Sequence, residues 1–364
     1  MGSIIRAVGT YFPRQVITNA DLEKILAASG RETNDEWIFS RTGIKRRRIA
    51  SDSETVGSMA LEAAKNAIAS LKIGISPIEH IVVATNTSER PFPNSSSFVQ
   101  DGLRRHFSED IILPTAGFSD VYTGCGGINA ALKYGDALVI SGIHRTVLVI
   151  GADRMSYVTD YSDRQICILF EDGASADILS GSVKGAGFMG HCEYGDGSRR
   201  ELITCTEGQK VDALEALRLV RESGEGEGGK PNMSHGRMLK MDGPAVFRYV
   251  SEIWDNVLGG LRENKQLNPE GIGYEDINWI NAHLANFRCL AGKDRKYPEF
   301  LKKCGLDGSI EDFCNSSTAS QGKRRKQFVE EAGPGEYNLG VGYGTGAYAC
   351  VNLYKQPDLS LVGR

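Results

Sequence analysis

Short apolar segments alternate with amphipathic helical segments along almost the whole 364-residue chain. The stretches Ser3 to Val8, His80 to Thr85 and Arg145 to Gly151 have the length and β-branched content of strands. Glu54 to Leu71 and Phe98 to Phe107 show the apolar spacing of helices. This alternation predicts an α/β protein, because helical bundles lack the strands and β-sandwiches lack the helices.

The composition excludes several classes of protein. Charged residues make up 24% of the chain and the formal net charge is −4, so it has no overall attraction to nucleic acid or to an anionic membrane. The sequence contains no apolar run of membrane-spanning length, and its first residues do not resemble a secretory signal. The eight cysteines form no CxxC pair and no zinc-binding pattern with the histidines. We therefore expect no bound metal and a reducing, cytoplasmic location.

The segment from Val121 to Leu132 contains the strongest candidate for a reactive group. It passes from the end of an apolar strand through the turn Gly-Cys125-Gly-Gly into a helix that we expect to begin at or just after the cysteine. A cysteine at a helix N-terminus lies near unpaired N–H groups that favour the thiolate, and neighbouring glycines let a substrate approach. A buried structural cysteine is the alternative, and the segment alone does not decide between the two.

Two further polar residues follow predicted strands in the second half of the chain. His283 lies within Trp279 to Asn286, where a core histidine held by backbone groups is the simpler interpretation. Asn315 begins the run that ends at Ser320, where a helix N-cap is the simpler interpretation. Together with Cys125, these residues occupy three strand-to-helix turns, the places where open α/β sheets usually bind ligands.

With several other motifs in the same order, these segments make the chain similar to the β-ketoacyl-[acyl-carrier-protein] synthase III family of the thiolase superfamily. The similarity extends from about Ile4 to Leu353. The motifs are Thr18 to Lys24, Asn34 to Ile44, Phe92-Pro93, Asp120 to Gly127, Asp163-Arg164, Phe170 to Ala174, His283 to Arg288, Asn315 to Ser320 and Gly342 to Gly346.

The resemblance implies a fold as well as a family. We expect an α/β thiolase fold, in which two similar halves form a five-layered αβαβα sandwich. The first half should span residues 1–183 and hold the nucleophilic cysteine. The second half should span residues 184–364 and hold the catalytic histidine and asparagine. The family also implies a homodimer.

The resemblance further assigns catalytic roles. Cys125 matches the nucleophile that takes an acyl group from acyl-CoA or an acyl carrier protein. His283 and Asn315 match the pair that hydrogen-bonds the carbonyl oxygen of a malonyl thioester, and the backbone N–H groups of Cys125 and Thr345 match the oxyanion hole. These roles imply a decarboxylative Claisen condensation in fatty acid or specialised polyketide-type biosynthesis, with malonyl-acyl carrier protein or malonyl-CoA as the second substrate. No metal or other cofactor is implied.

Substrate-binding residues match as well. Trp37 and Arg164 correspond to the pair that sandwiches the adenine of CoA. Asn286 and Phe247 correspond to further substrate-binding positions. Phe92 corresponds to a residue at the end of the acyl tunnel that is donated across the dimer interface.

Basic residues in the sequence match the surface that receives the acidic acyl carrier protein. Arg288 and Arg248 correspond to docking positions of the family. The runs Lys45 to Arg48 and Lys323 to Lys326 would add to this attraction, although a solvated basic surface is the default expectation for such runs.

Three positions depart from the family pattern. Pro244 replaces an asparagine near the pantetheine arm, Leu284 replaces a glutamine after the histidine, and Thr345 replaces a glycine. These changes predict a divergent member with altered substrates. Acyl transfer to an oxygen or nitrogen nucleophile, non-decarboxylative condensation and a non-catalytic partner role in a ketosynthase complex stay open as alternatives. Asn315 favours decarboxylative condensation over acyl transfer to oxygen or nitrogen, and the complete set of cysteine, histidine and asparagine argues against a non-catalytic role.

Overall fold

The strands and helices alternate as the sequence predicts, in a computed structural model that describes residues 2–72, 74–222, 230–306 and 314–358. The strands in these residues are β1 (Ser3–Tyr11), β2 (Gln15–Thr18), β3 (Arg46–Ile49), β4 (Ile78–Ala84), β5 (Ile112–Val121), β6 (Thr146–Asp153), β7 (Gly173–Ser182), β8 (Gly187–Gly195), β9 (Ile203–Lys210), β10 (Ser234–Met241), β11 (Ile277–Ala282), β12 (Tyr337–Gly344) and β13 (Tyr348–Lys355). The α-helices are α1 (Asn19–Ala28), α2 (Asp35–Thr42), α3 (Val56–Ala69), α4 (Ser95–His106), α5 (Gly127–Ile140), α6 (Ala213–Glu222), α7 (Gly243–Gly259), α8 (Arg288–Ala291), α9 (Phe300–Lys303) and α10 (Gly322–Glu331).

Two mixed sheets form the framework. The first has the strand order β1-β7-β6-β4-β5, and the second has the order β11-β12-β13-β8. Strand β4 pairs in parallel with β5 and β6, and β11 pairs in parallel with β12, whereas the other ladders of these sheets are antiparallel. The chain passes from the first sheet to the second between Ser182 and Gly187. The division into two halves at residues 183/184 stays a prediction.

Helices cover both faces of each sheet. On the outer face of the first sheet, α3 and α4 share one apolar core with its strands. Between the sheets, Ile128 and Leu132 of α5 and Phe328 of α10 pack in a core with strands of both sheets. On the outer face of the second sheet, α7 packs through Ile253 and Trp254. The layers therefore follow the order αβαβα, as expected. None of the described helices has the length and apolar composition needed to cross a membrane.

A small antiparallel sheet of two strands, the β9–β10 sheet, was not anticipated by the sequence analysis. Strands β9 and β10 pair with each other outside the two large sheets. Together with α6 they pack on the first half of the chain, where Leu217 and Leu239 join a core with Leu22 and Val158. Strands β9 and β10 thus follow β8 of the second sheet in the chain but pack against the first half.

The expectation that both basic runs are mostly solvated surface is wrong in part. Residues of the first run form β3, in which Arg47 is fully buried and donates to the backbone oxygen of Ile168 at 2.6 Å. In the second run, Arg325 is buried and pairs with the carboxylate of Asp177, with Nη2 2.7 Å from Oδ2. Each pairing satisfies a cation that burial would otherwise destabilise.

Strand ends determine where chemistry is possible. The parallel strands β4, β5 and β6 end at Ala84, Val121 and Asp153, and the loops that follow them lie at one edge of the first sheet. In the second sheet β11 and β12 are parallel as well, and they end at Ala282 and Gly344. Carboxyl ends of parallel strands are the usual binding edge of α/β sheets. The loops after these strands line a common cavity.

Candidate active site

A cavity of about 320 Å³ brings the three candidate catalytic residues together. Cys125, His283 and Asn315 all line it. The rest of its wall is largely apolar and comes from both halves of the chain, including the β9–β10 sheet. It contains Met155, Val158, Leu169, Leu239, Met241 and Val250. An apolar enclosure with a few polar groups is typical of a small-molecule site.

The turn that holds Cys125 fits tightly against the end of β12. A Cβ atom at Gly344 would lie 2.5 Å from the backbone N of Cys125. At Gly124, whose φ is +70°, a Cβ would lie 2.7 Å from the backbone N of Thr345. Only glycine allows this approach, which places the turns that contain Cys125 and Thr345 against each other. The use of their backbone N–H groups as an oxyanion hole stays a prediction.

Helix α5 begins just after Cys125, as the sequence predicts, but the thiol at its N-terminus does not have a lowered pKa. A single 3-10 turn, Gly124–Gly126, leads directly into α5. Burial of the sulfur nevertheless raises the pKa of Cys125 to about 11, although the residue as a whole is only partly buried. Burial of the sulfur therefore works against the thiolate that we expect from the helix N-terminus, and the activation of Cys125 stays a prediction.

His283 is held as a neutral ring. It is buried, and burial lowers its pKa to about 3. Its Nδ1 lies 2.6 Å from the hydroxyl of Ser320, its backbone N donates to Val341, and its backbone oxygen accepts from the hydroxyl of Tyr343 at 2.8 Å. When the Ser320 hydroxyl donates to Nδ1, Nε2 carries the ring proton and can donate to a ligand.

Asn315 is oriented by its own loop and does not cap a helix by itself. Its Oδ1 accepts from the backbone N of Ser317 at 3.0 Å. Its Nδ2 lies 3.4 Å from the backbone oxygen of Ala285, a long hydrogen bond that leaves the second N–H available. A backbone bridge between Asn315 and Phe170 fixes the loop against the first half of the chain.

Comparison with known proteins decides the family. The family model described as "3-Oxoacyl-[acyl-carrier-protein (ACP)] synthase III" matches residues 119–197. A β-ketoacyl-[acyl-carrier-protein] synthase III of Jannaschia sp. is 33% identical over 327 residues, which is 87% of this chain and 88% of that protein. The chain belongs to the β-ketoacyl-[acyl-carrier-protein] synthase III family.

Solved structures of this family agree with the fold. The 3-oxoacyl-[acyl-carrier-protein] synthase III of Aquifex aeolicus is 28% identical and superposes with a TM-score of 0.76, covering 97% of this chain and 100% of its own. The priming β-ketosynthase of the R1128 polyketide pathway is 26% identical with a TM-score of 0.74, covering 98% and 96%. The predicted thiolase fold is confirmed, and with it membership of a family of acyl-transferring condensing enzymes.

Trp37 and Arg164, the two residues predicted to hold the adenine of CoA, contact each other. The guanidinium carbon of Arg164 lies 4.4 Å from the centre of the Trp37 ring, and that of Arg41 lies 4.2 Å from it. An adenine can therefore enter between Trp37 and Arg164 only when this cation–π contact opens. The assignment of both residues to CoA stays a prediction.

The other predicted binding residues fall into two groups. Asn286 and Phe247 line the cavity with the catalytic set, and the exposed residues Arg288 and Arg248 lie within two positions of them in sequence. Phe92 does not line this chain's cavity and is 81% exposed. That position is compatible with a role across a subunit interface, which stays a prediction.

Sequence reasoning missed four polar residues of the site. Ser320 holds the ring of His283, and Ser317 holds the amide of Asn315. Asn86 lines the cavity beside them and contacts the buried carboxylate of Asp153. The sequence offered a signal for two of them. Asp153 ends strand β6, and Asn86 follows the end of strand β4 by two residues, at the edge where α/β sheets usually bind ligands.

The neutral state of His283 predicts how stability depends on pH. Its pKa in the folded protein lies below the unfolded value of about 6.5, so the unfolded state binds more protons between these values and stability falls as pH decreases below about 6.5. A His283→Gln variant lacks this loss. Between about pH 7.5 and pH 5.5, the unfolding free energy of the wild type should fall by about 1.4 kcal/mol more than that of the variant, measured by urea titration. An equal fall in both proteins would show that the ring titrates normally in the fold.

Proposed function

We propose that this protein catalyses the decarboxylative Claisen condensation of an acyl starter with a malonyl thioester. The observation that supports this most directly is the convergence of Cys125, His283 and Asn315 on one cavity in a member of the synthase III family. Each residue supplies a group that one of the two half-reactions needs.

In the first half-reaction, the sulfur of Cys125 attacks the carbonyl carbon of the starter thioester. The negative charge that develops on the carbonyl oxygen is met by the backbone N–H groups of Cys125 and Thr345. The bond from the carbonyl carbon to the thiol of CoA then breaks, and the departing sulfur takes up the proton that Cys125 gives up. An apolar wall that includes Val158 and Leu239 surrounds the bound acyl chain.

In the second half-reaction, a malonyl thioester loses carbon dioxide and leaves an enolate. The N–H groups of His283 and Asn315 donate to its oxygen, which requires the ring to be neutral and protonated at Nε2. The carbanion attacks the acyl carbon on Cys125, the carbon–sulfur bond breaks, and one proton from solvent restores the thiol. Removal of a donor of this kind typically lowers the rate by about 10²–10³-fold.

The partners we propose are an acyl-CoA and a malonyl thioester on an acyl carrier protein or on CoA. Support comes from Phe247 and Asn286 in the cavity wall, because the exposed residues Arg248 and Arg288 lie within two positions of them in sequence and their positive charge suits an acidic carrier protein. The Trp37–Arg164 pair supplies flat and cationic surfaces for adenine.

No step of this scheme uses a metal or redox cofactor. All eight thiols are free, which fits the cytoplasmic location that we propose.

The chemical nature of the starter and the pathway belong to this proposal as well. The relatives include synthases III and a priming β-ketosynthase of a polyketide pathway. We propose a fatty acid or specialised polyketide-type route, and the starter is whichever acyl-CoA labels the enzyme best in the experiment below.

The nucleophile is tested by intact mass spectrometry after incubation with a panel of acyl-CoAs. Wild type should gain the mass of one acyl group from its preferred substrate, and Cys125→Ala should gain none. Cys205 is an exposed thiol that lines the same cavity, so Cys205→Ala is the matched control and should keep the adduct. An adduct on Cys125→Ala, or its loss only in Cys205→Ala, would assign the chemistry to another residue.

The role of Asn315 separates condensation from simple acyl transfer. Asn315→Ala should keep the acyl adduct but form β-ketoacyl product about 10²–10³-fold more slowly, because the enolate loses a donor. Product formation is followed by mass spectrometry of the thioester. Unchanged condensation would favour acyl transfer to an oxygen or nitrogen nucleophile, and parallel loss of both activities would give Asn315 a structural role.

A homodimer through the β5 edge of the first sheet is the remaining part of the proposal. Strand β5 is one of the two edge strands of that sheet and pairs only with β4 among the described residues. Phe118 on β5 is 44% exposed, and Phe98 on α4 is 52% exposed. Such an aromatic surface beside an unpaired edge favours contact with a second copy. Sedimentation equilibrium should give twice the 39.6 kDa chain mass for wild type and a shift toward monomer for Phe118→Glu. A monomeric wild type at all concentrations would contradict the dimer.

A further inference from the structure

One face of the β9–β10 sheet changes from apolar to charged along its length. Leu239 and Met241 on β10 line the cavity, and so does Cys205, the ladder partner of Leu239. Side chains two residues apart on a strand lie on the same face of a sheet, so Arg237 follows Leu239 on the cavity face. The distance along the strand between these two positions is about 7 Å. The apolar wall on β10 therefore gives way to an arginine one step beyond the cavity.

Two contacts hold the guanidinium of Arg237 against segments that line the cavity. Its Nη2 donates to the backbone oxygen of Ser88 at 2.8 Å, and Ser88 directly follows the cavity residue Thr87. Its Cζ lies 4.7 Å from the centre of the Tyr157 ring, and Tyr157 directly precedes the cavity residue Val158. The cation is therefore fixed where the loop after β4, the segment after β6 and strand β10 meet.

A second cation lies on the same tyrosine. Lys210 is buried, its Nζ donates to the backbone oxygen of Tyr157, and this Nζ lies 5.6 Å from the centre of the ring. In the part of the chain that the structure describes, neither Arg237 nor Lys210 forms an ion pair with a carboxylate. Glu207 is the ladder partner of Arg237, but it is exposed and its carboxylate lies 3.8 Å from Nδ1 of His235. The local positive charge is thus available to an anionic ligand.

The arginine lies at the end of the cavity wall away from α7. Strand β10 leads through Met241 into α7, whose Phe247 lines the cavity near the proposed carrier-protein surface. Arg237 lies four residues before Met241, about 13 Å in the other direction along the strand. An acyl chain whose thioester enters beside Phe247 therefore extends past Leu239 toward the guanidinium.

We propose that Arg237 binds a carboxylate at the far end of the starter acyl chain, which makes it a specificity-determining residue. The preferred starters are then CoA thioesters of dicarboxylic acids and not those of simple fatty acids. This inference rests on the proposed use of the cavity for the starter, and it names the chemical class of that starter.

The surroundings of the guanidinium explain the expected selectivity. Arg237 is half-buried, so a ligand that covers it without offering acceptors removes water and leaves N–H donors unpaired. A carboxylate accepts two parallel hydrogen bonds from one guanidinium group, whereas an isopropyl group of similar shape accepts none. The methylene groups of either chain contact the same apolar wall. Hydrogen bonds to charged groups of this kind change affinity by about 10–100-fold.

The test compares matched pairs of CoA thioesters by isothermal titration calorimetry. The protein carries Cys125→Ala, so that it binds the thioesters without reacting. Succinyl-CoA is paired with isocaproyl-CoA, and glutaryl-CoA is paired with isoheptanoyl-CoA, so that each pair exchanges a terminal carboxylate for an isopropyl group at equal chain length. In at least one pair, the carboxylate-ended thioester should bind about 10–100-fold more tightly. Arg237→Gln should abolish this preference, and Arg237→Lys should retain only part of it, because lysine keeps the charge but not the planar fork.

The matched control is Arg221→Gln, which removes an exposed arginine from α6, the helix that packs in one core with the same sheet. It should keep the preference for the carboxylate-ended thioester. Equal affinities within both pairs, in the protein that retains Arg237, would overturn the proposal whether or not the Arg237 variants fold. An Arg237→Gln variant that weakens both members of a pair alike would also overturn it, because the arginine would then act on CoA or on the fold.

Failure of the proposed function gives a different result. In the acyl-enzyme experiment the wild type would then gain no acyl mass from any thioester, while the binding preference stays measurable because binding does not require the sulfur of Cys125. An enzyme that is acylated by alkanoyl-CoAs but shows no preference for a carboxylate in either pair would retain the proposed nucleophile and lose only the role of Arg237.

Discussion

The carboxylate of Asp153 holds the two halves of the site in register. It is fully buried at the end of β6 and accepts at least six hydrogen bonds, from Thr85, Asn86 and Thr87 of the first half and from the backbone and hydroxyl of Thr318 in the second. A buried charge is tolerated only when it is satisfied in this way. The loop that holds Asn315 is thereby attached to the strand ends of the opposite sheet, and both line the same cavity.

The candidate catalytic groups line a largely apolar cavity, and their burial there affects their ionisation. Burial keeps His283 neutral and opposes a thiolate at Cys125. A neutral imidazole suits a donor to an enolate better than a general base, because it keeps its proton through the reaction. The proposed nucleophile, by contrast, needs activation by a neighbouring group or by the bound substrate.

The sequence was sufficient for the α/β alternation, because strands such as β6 contain an apolar run, here Val147 to Ile150. Motif order was sufficient for the family and for the three residues that meet in one cavity, whose catalytic roles stay a proposal. The β9–β10 sheet was not predicted, because β9 includes polar and charged residues and, among the described strands, pairs only with β10. The burial of Arg47 and Arg325 was missed, because their partners Ile168 and Asp177 lie more than a hundred residues away. The high pKa of the Cys125 thiol depends on desolvation, which local motif reasoning underestimates.

The most direct test of the central claim is the carbon balance of a single reaction. The enzyme is given its preferred acyl-CoA and a malonyl thioester labelled at the free carboxyl carbon, and labelled carbon dioxide and β-ketoacyl product are counted together. Decarboxylative condensation predicts one labelled carbon dioxide for each β-ketoacyl thioester formed and no label in that product. Acyl transfer without carbon dioxide release, or a product that retains the label, would contradict the account.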